Sequence, residues 1–151
     1  MATLVGTQAE FAKAVRELVE LDFDAVEAYK AAINRLENIN YRNRLQQFKK
    51  DHERHISELN AVLDAHGEKK VEKPSMKQWL TKGKVVISDI VGNDINVLKA
   101  MNTNEQDTNT AYERINKYKD KWVDAIEPLK KGLEDEKRHK KWIQYAISSC
   151  S

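Results

Sequence analysis

Four long stretches of this chain carry apolar residues at steps of three and four, and each stripe is broken by ionisable side chains near its middle. The first stripe is Phe11, Val15, Leu18, Asp22, Val26, Tyr29, Ile33 and Leu36. The second is Tyr41, Leu45, Phe48, His52, His55, Leu59, Val62 and His66. The third is Leu98, Met101, Glu105, Thr108, Tyr112 and Ile115, and the fourth is Leu129, Leu133, Glu136, His139, Ile143 and Ile147. This spacing keeps each set on one face of an α-helix. A helix with one apolar face has to bury it against another element. Four such helices in 151 residues predict a single all-α domain, an antiparallel four-helix bundle with a long crossover between its second and third helices.

Local signals place the helices at about 8–37, 41–66, 95–117 and 123–148. Thr7-Gln8-Ala9-Glu10 reads as a capping box for the first. Asn40 and Asp94 read as N-caps of the second and third, and Gly67 as the residue that ends the second. Pro128 belongs to a first turn if it is helical at all. Between the halves, Glu68 to Pro74 is a charged linker whose Lys69, Lys70 and Lys73 read as solvated. Ser75 then caps a short crossover helix over 76–91, an apolar flap with Trp79, Val85 and Ile90.

Composition excludes several classes. With five Gly, two Pro and a third of residues charged, the chain favours long helices over tight turns. Net charge is +2 with both signs interspersed, so no nucleic-acid arm is expected. No apolar run approaches the ~20 residues of a membrane span, and no charged segment followed by an apolar one suggests a leader. Cys150 is the only cysteine; with no internal disulfide available, the expected compartment is reducing, the cytoplasm.

The stripes also repeat. Asp22 maps to Glu105 and Tyr29 to Tyr112 at an offset of 83 residues, and His52 to Glu136 and His55 to His139 at 84. The mapping centres on two five-residue copies, Asp51-His52-Glu53-Arg54-His55 and Asp135-Glu136-Lys137-Arg138-His139. Residues three apart share a helix face, so each copy aims two ligand-type side chains at one place. A single His or Asp on an apolar stripe is usually a satisfied core residue. Six at mid-length of four facing helices are harder to place without partners, because a buried charge has to pair, bind a metal or neutralise. Asp22, His52, His55, Glu105, Glu136 and His139 are therefore the candidate metal ligands.

On these residues the chain resembles the ferritin-like di-iron carboxylate proteins, which include bacterioferritins and rubrerythrins. It is closest to small bacterial ferritin-like domain proteins with the segments Asp51–His55 and Asn109–Arg114 seen here. Glu105 with Tyr112, and Glu136-x-x-His139, match the family pattern of a single Glu and a Glu-x-x-His. Asp22 with Tyr29, and His52-x-x-His55, match it loosely. The resemblance implies iron, two ions in the family pattern, with the single carboxylates as terminal ligands, each Glu of the Glu-x-x-His as a bridge and each His as a cap. Here His52 replaces a bridging Glu, and a neutral imidazole has no pair of oxygens to bridge with. Three carboxylates and three neutral His give −3 where the family has −4. One ion, whether iron, zinc or manganese, is therefore open beside the dinuclear pattern.

Other residues have simpler readings. Tyr29 and Tyr112 are expected in the core with their hydroxyls on carboxylates across the bundle. Glu27, Glu113, Asp24 and Asp107 are expected at the surface. His66 is expected to favour the end of its helix, and Trp122 and Trp142 to pack. The implied function is metal binding used in iron oxidation or oxidative-stress defence. The alternative is a non-catalytic interaction or stress-response bundle with a metal-free polar core. Metal ions are the expected partners; a homodimer is left open.

Overall fold

The computed structural model describes residues 3–73 and 92–150, and within them the chain is a bundle of four long helices. They are α1 (Phe11–Arg35), α2 (Ile39–Ala65), α3 (Asp94–Asn116) and α4 (Ile126–Cys150), with a 3-10 turn at Val123–Ala125 before α4. No strand occurs among the described residues. The expected crossover helix over 76–91, with Ser75 and Trp79, lies outside them.

Tertiary contacts fix the direction of every helix. Glu37 and Asn38, just after α1, donate their N–H groups to the Asp94 carboxylate at the start of α3, at 2.9 and 2.8 Å. At the other end, Arg114 near the end of α3 donates to Thr3 O at 2.6 Å, just ahead of α1. Helices α1 and α3 are thus antiparallel. His66 at the end of α2 meets Asp124 and Trp122 at the start of α4, so α2 and α4 are antiparallel as well. Since α1–α2 and α3–α4 are also hairpins, α2 and α3 run in the same direction.

The helix starts differ from the sequence expectation for a physical reason. No side chain caps α1: Glu10 is the N-cap residue, and the Thr7 hydroxyl instead donates to Leu4 O at 2.6 Å. Residues 3–8 form a turn docked on α3, with Gly6 at φ +92° against Arg114, and this turn takes the Thr7 hydroxyl away from the helix. The cap of α2 is Asn38, not Asn40; its side chain accepts from the N–H groups of Asn40 and Tyr41. Asp94 lies in the first turn of α3, and its carboxylate serves the α1–α2 corner instead of its own helix. Pro128 falls in the first turn of α4, where no N–H is required of it. Gly67 has φ +74°, the left-handed conformation that ends α2.

The linker is less solvated than its composition suggests. Lys69, Lys70 and Lys73 are exposed, but Val71 between them is buried. Asn60 clips it, accepting from Val71 N at 2.9 Å and donating to Val71 O at 2.8 Å.

Two apolar clusters fill the bundle. One lies around Leu18, Leu59, Leu63, Tyr112, Ile115 and Leu129. The other lies around Tyr29, Leu45, Phe48, Leu98, Met101 and Ile143. Trp122 packs edge-on against Phe11 in the first, and Trp142 against Phe48 and Tyr41 at the second, as packing residues. Between the clusters is a layer of buried polar side chains. One boundary of that layer depends on Gly132 of α4. A Cβ there would lie 3.0 and 3.1 Å from Tyr112 Cδ1 and Cζ and nearer still to Cε1. The Tyr112 ring is fully buried and its hydroxyl is bonded, so it has nowhere to go. Gly132→Ala should therefore destabilise the fold by ~1–3 kcal/mol through overpacking, despite the ~1 kcal/mol that Ala gains over Gly in a helix. Urea denaturation of the two proteins measures this; a stabilised variant would show that the ring has room to move.

Candidate metal centre

All six candidate ligands lie in the polar layer, and all are buried. The stripes explain this directly: Asp22 comes from α1, His52 and His55 from α2, Glu105 from α3, and Glu136 and His139 from α4, each at mid-helix on the inward face. They form two groups, Asp22-His52-His55-Glu136 and His52-Glu105-Glu136-His139, and in each the ligand atoms lie within 4.8 Å of one another. Either group could hold a metal ion.

The tyrosines are where the repeat places them. Tyr29 of α1 donates its hydroxyl to Glu105 of α3, and Tyr112 of α3 donates to Asp22 Oδ2 of α1 at 2.7 Å. Burial, and then the charge of Glu105 beside Tyr29 and of Asp22 beside Tyr112, push both phenols well above their ordinary value, so both remain donors. Thr108 adds its hydroxyl near Glu105 Oε2 and Glu136 Oε2, at 3.2 and 3.3 Å. Asn109 ties α3 to α4, donating to Glu105 O at 2.8 Å and Glu136 O at 3.0 Å.

A second ring of residues, absent from the candidate set, surrounds the ligands. His55 Nε2 lies 2.9 Å from Asp135 Oδ2, and His139 Nε2 lies 2.8 Å from Asp51 Oδ2. Each aspartate reaches across from α4 to α2 or from α2 to α4. Arg54 meets Asp51 at 3.1 Å and also Asp135, while Arg138 meets Asp51 at 2.8 Å and Asp135 at 2.9 Å. The four residues form a closed, pseudo-symmetric square over the α2–α4 seam. The signal was present in the sequence: Asp-x-x-Arg-His recurs in both five-residue copies at the same offset. These residues fall beside the apolar stripes, so periodicity alone passes over them.

Charge in the layer is mutually supported. Burial opposes ionisation of Asp22, but hydrogen bonds from His52 and His55 hold its carboxyl below the usual range. Glu105 is likewise held well down against burial, chiefly by His139. Glu136 goes the other way, pushed up by burial and by the charge of Glu105. Burial disfavours the charged imidazoles too, yet Glu136 and Asp22 raise His52 to about 10, and Asp135 and Asp22 raise His55 to about 9. Outside the layer, His55 and Arg138 overcome burial to hold Asp135 at about 2.

A model of the family described as Domain of unknown function (DUF2383) matches residues 10–118. The chain belongs to this family. The DUF2383 match takes in α1, α2 and α3, with Asp22, His52, His55 and Glu105; Glu136 and His139 on α4 lie beyond it. No curated protein and no solved structure matches the sequence.

Among the other sequence readings, Asp24 is a correction. It is buried, 5 % exposed, not at the surface, because its side chain lies two residues past Asp22 where α1 is covered on more than the one stripe. Asp107 is half-buried and accepts from Thr3 N at 3.2 Å, which again follows from the docked N-terminal turn. Glu113 is exposed as expected, and Glu27 is half-buried beside Lys30 at 3.7 Å. His66 sits at the end of α2, stacked on Trp122 with ring centroids 3.9 Å apart. No described helix is long and apolar enough to cross a membrane.

The raised histidines set a pH dependence for metal-free protein. Stability from a group whose value is raised in the fold is fully present below its unfolded value, 6.5 for His, and is lost as pH rises through the folded value. In chelator, the melting temperature should therefore fall between pH 6.5 and pH 10, as His55 and then His52 lose their protons. Thermal melts across that range check this, and a flat or rising melting temperature would contradict the buried ion pairing.

Proposed function

We propose that this DUF2383 protein is a ferritin-like metal-binding protein whose polar layer holds metal through Asp22, His52, His55, Glu105, Glu136 and His139. One observation carries the reading. His52 Nε2, Glu136 Oε1 and His139 Nδ1 are buried ligand atoms with no hydrogen-bond partner among the described residues, and all three belong to the same layer. Leaving a buried polar atom unsatisfied costs about 1–3 kcal/mol each, so three together call for a shared partner. The nearest candidates for that partner, the carboxylates of Glu105 and Glu136, stand 3.3–3.6 Å away from the two rings, which suits joint coordination of a cation better than direct bonding.

The donor set of three carboxylates and three imidazoles suits iron, zinc or manganese. Iron is the choice that the ferritin-like resemblance supports, with ferrous oxidation by oxygen or peroxide as the chemistry that bound iron would supply. The chain's own residues prepare the site. Tyr29 and Tyr112 hold the Glu105 and Asp22 carboxylates in place by hydrogen bonds. Asp135 and Asp51 take the Nε2 atoms of His55 and His139, which fixes these rings with Nδ1 facing inward. Phe48, stacked 4.2 Å from the His139 ring, and the two apolar clusters keep the layer dry. Iron handling or oxidative-stress defence in a bacterial cytoplasm is the setting that this reading implies.

A second reading is favoured by the charge count. Asp22, Asp51, Glu105, Asp135 and Glu136 are matched by His52, His55, His139, Arg54 and Arg138, so the layer and its surround can be neutral without metal when all three rings are protonated. On that reading the bundle is a metal-free interaction or stress-response module.

Metal analysis separates the two. Protein purified without a His-tag should carry stoichiometric metal, or take up added ferrous iron, and saturating metal at a hundredfold excess over Kd should stabilise it by about 2.7 kcal/mol. For a chain of this length that is a rise of about 5–10 °C in melting temperature. Changing both His55 and His139 to Ala should abolish uptake and the rise. Protein that takes up no metal, and melts at the same temperature with and without it, would leave the metal-free module standing.

A further inference from the structure

The two nitrogens of the His52 ring face different sets of ligand atoms. Nδ1 lies 2.7 Å from Asp22 Oδ1 and 3.4 Å from Glu136 Oε1. His55 Nδ1 completes this set, 3.3 Å from Asp22 Oδ1 and 3.7 Å from Glu136 Oε1. On the opposite edge of the ring, Nε2 lies 3.6 Å from Glu105 Oε1. His139 Nδ1 completes that second set, 3.4 Å from Glu105 Oε1 and 3.3 Å from Glu136 Oε2. Glu136 thus gives one oxygen to each set, and His52 gives one nitrogen to each. Donor atoms about 2.0–2.1 Å from a tetrahedral ion stand about 3.3–3.4 Å from one another. The separations within both sets scatter around that value.

The three histidines are not equivalent in this arrangement. A histidine that binds one ion normally donates its other ring N–H to a carboxylate or carbonyl. His55 and His139 do so, through Asp135 and Asp51. His52 has no such outer partner among the described residues. Its ring is fully buried, its Nδ1 meets a candidate ligand, Asp22, and its Nε2 has no hydrogen bond among the described residues. Both of its nitrogens are aimed at ligand sets, which a terminal ligand does not need.

We propose that His52 is a bridging ligand, holding one divalent ion through Nδ1 and a second through Nε2 as an imidazolate, with Glu136 as the other bridge. This rests on the metal-binding reading above and specifies it. The charge then closes: the imidazolate adds a fourth negative charge to those of Asp22, Glu105 and Glu136, matching two divalent ions. In forming the bridge the ring exchanges its N–H protons for two metal–nitrogen bonds. A singly protonated ring releases one proton to solvent and a doubly protonated ring releases two, with no change of oxidation state. The substitution of a histidine for a carboxylate at this position therefore changes the kind of bridge and keeps the two-ion count.

The test uses the full chain stripped with chelator and reloaded with zinc or with cupric ion. Native mass spectrometry of the wild type should count two zinc ions per chain. The two-copper form should show electron paramagnetic resonance intensity well below that of two isolated cupric ions, because an imidazolate couples their spins antiferromagnetically. His52→Gln, which offers one side to one ion, should keep one zinc and bind a second at least tenfold more weakly. His52→Glu, which restores two donor atoms, should recover the count of two. Far-ultraviolet circular dichroism of the stripped variants checks that each is folded; if His52→Gln is not, the wild-type count and copper signal decide. A wild type that binds one ion, two coppers with full uncoupled intensity, or an unaltered second zinc in His52→Gln would overturn the bridge while leaving metal binding intact. A wild type that binds no ion overturns both.

Discussion

Burying charge in the middle of a helical bundle is the constraint on which the rest of this structure depends. An isolated ionised group in an apolar interior is so costly that it pairs, coordinates or loses its charge. Here six ionisable side chains from four helices are at most 2 % exposed, so the helices have to meet at the one height where those groups answer each other. Some of the pairing is within a half, as Asp22 with His52 and His55, and some is between halves of the repeat. Tyr29 of the first half serves Glu105 of the second, and Tyr112 of the second serves Asp22 of the first. Asp51 and Asp135 exchange histidines in the same way. Neither hairpin partners all of these groups alone: both tyrosines and both outer aspartates reach into the other half.

This crossing pattern also explains how the seams differ. The α1–α3 seam is closed by the docked N-terminal turn and by Asp94 at opposite ends, with apolar packing and the Tyr29–Glu105 and Tyr112–Asp22 hydrogen bonds between. The α2–α4 seam is closed by the Asp51-Arg54-Asp135-Arg138 square at its middle. Exposed ion pairs contribute little individually, and both guanidiniums here are partly exposed. The value of the square lies in position: it holds two aspartates where they fix the tautomer and direction of two buried histidines. The side of the layer that α2 and α4 cover is thus closed by groups that exchange partners among themselves.

The helical architecture and the six candidate residues were legible because they rest on a single signal, the spacing of apolar residues. Once the stripes are aligned, Asp22, His52, His55, Glu105, Glu136 and His139 fall at one height without further assumption. What periodicity does not encode was harder to read. Asp51 and Arg54 lie beside the stripe and act by reaching another helix, so only their recurrence as Asp135 and Arg138 marks them. Local rules make caps of Thr7, Asn40 and Asp94. In the structure none of the three caps its helix: Thr7 bonds back to Leu4 O, Asn38 caps α2 in place of its neighbour Asn40, and Asp94 is taken by Glu37 and Asn38, tertiary partners that compete for its side chain. Asp24 reads as a surface residue because it is off the stripe, yet α1 is buried over much of its circumference, with Leu21, Ala25 and Ala28 covered as well. His52 is where the sequence says least: a neutral imidazole in place of a carboxylate reads as a lost bridge, and periodicity cannot show that its two nitrogens face different carboxylates, Asp22 at 2.7 Å and Glu105 at 3.6 Å.

Anomalous diffraction at the absorption edge of the bound metal tests the central claim most directly. Crystals of the metal-loaded chain should show two peaks inside the bundle, one against Asp22 and His55 and one against Glu105 and His139, with His52 and Glu136 between them. Density confined to the protein surface, or no density in the polar layer of a chain supplied with saturating metal, would contradict it.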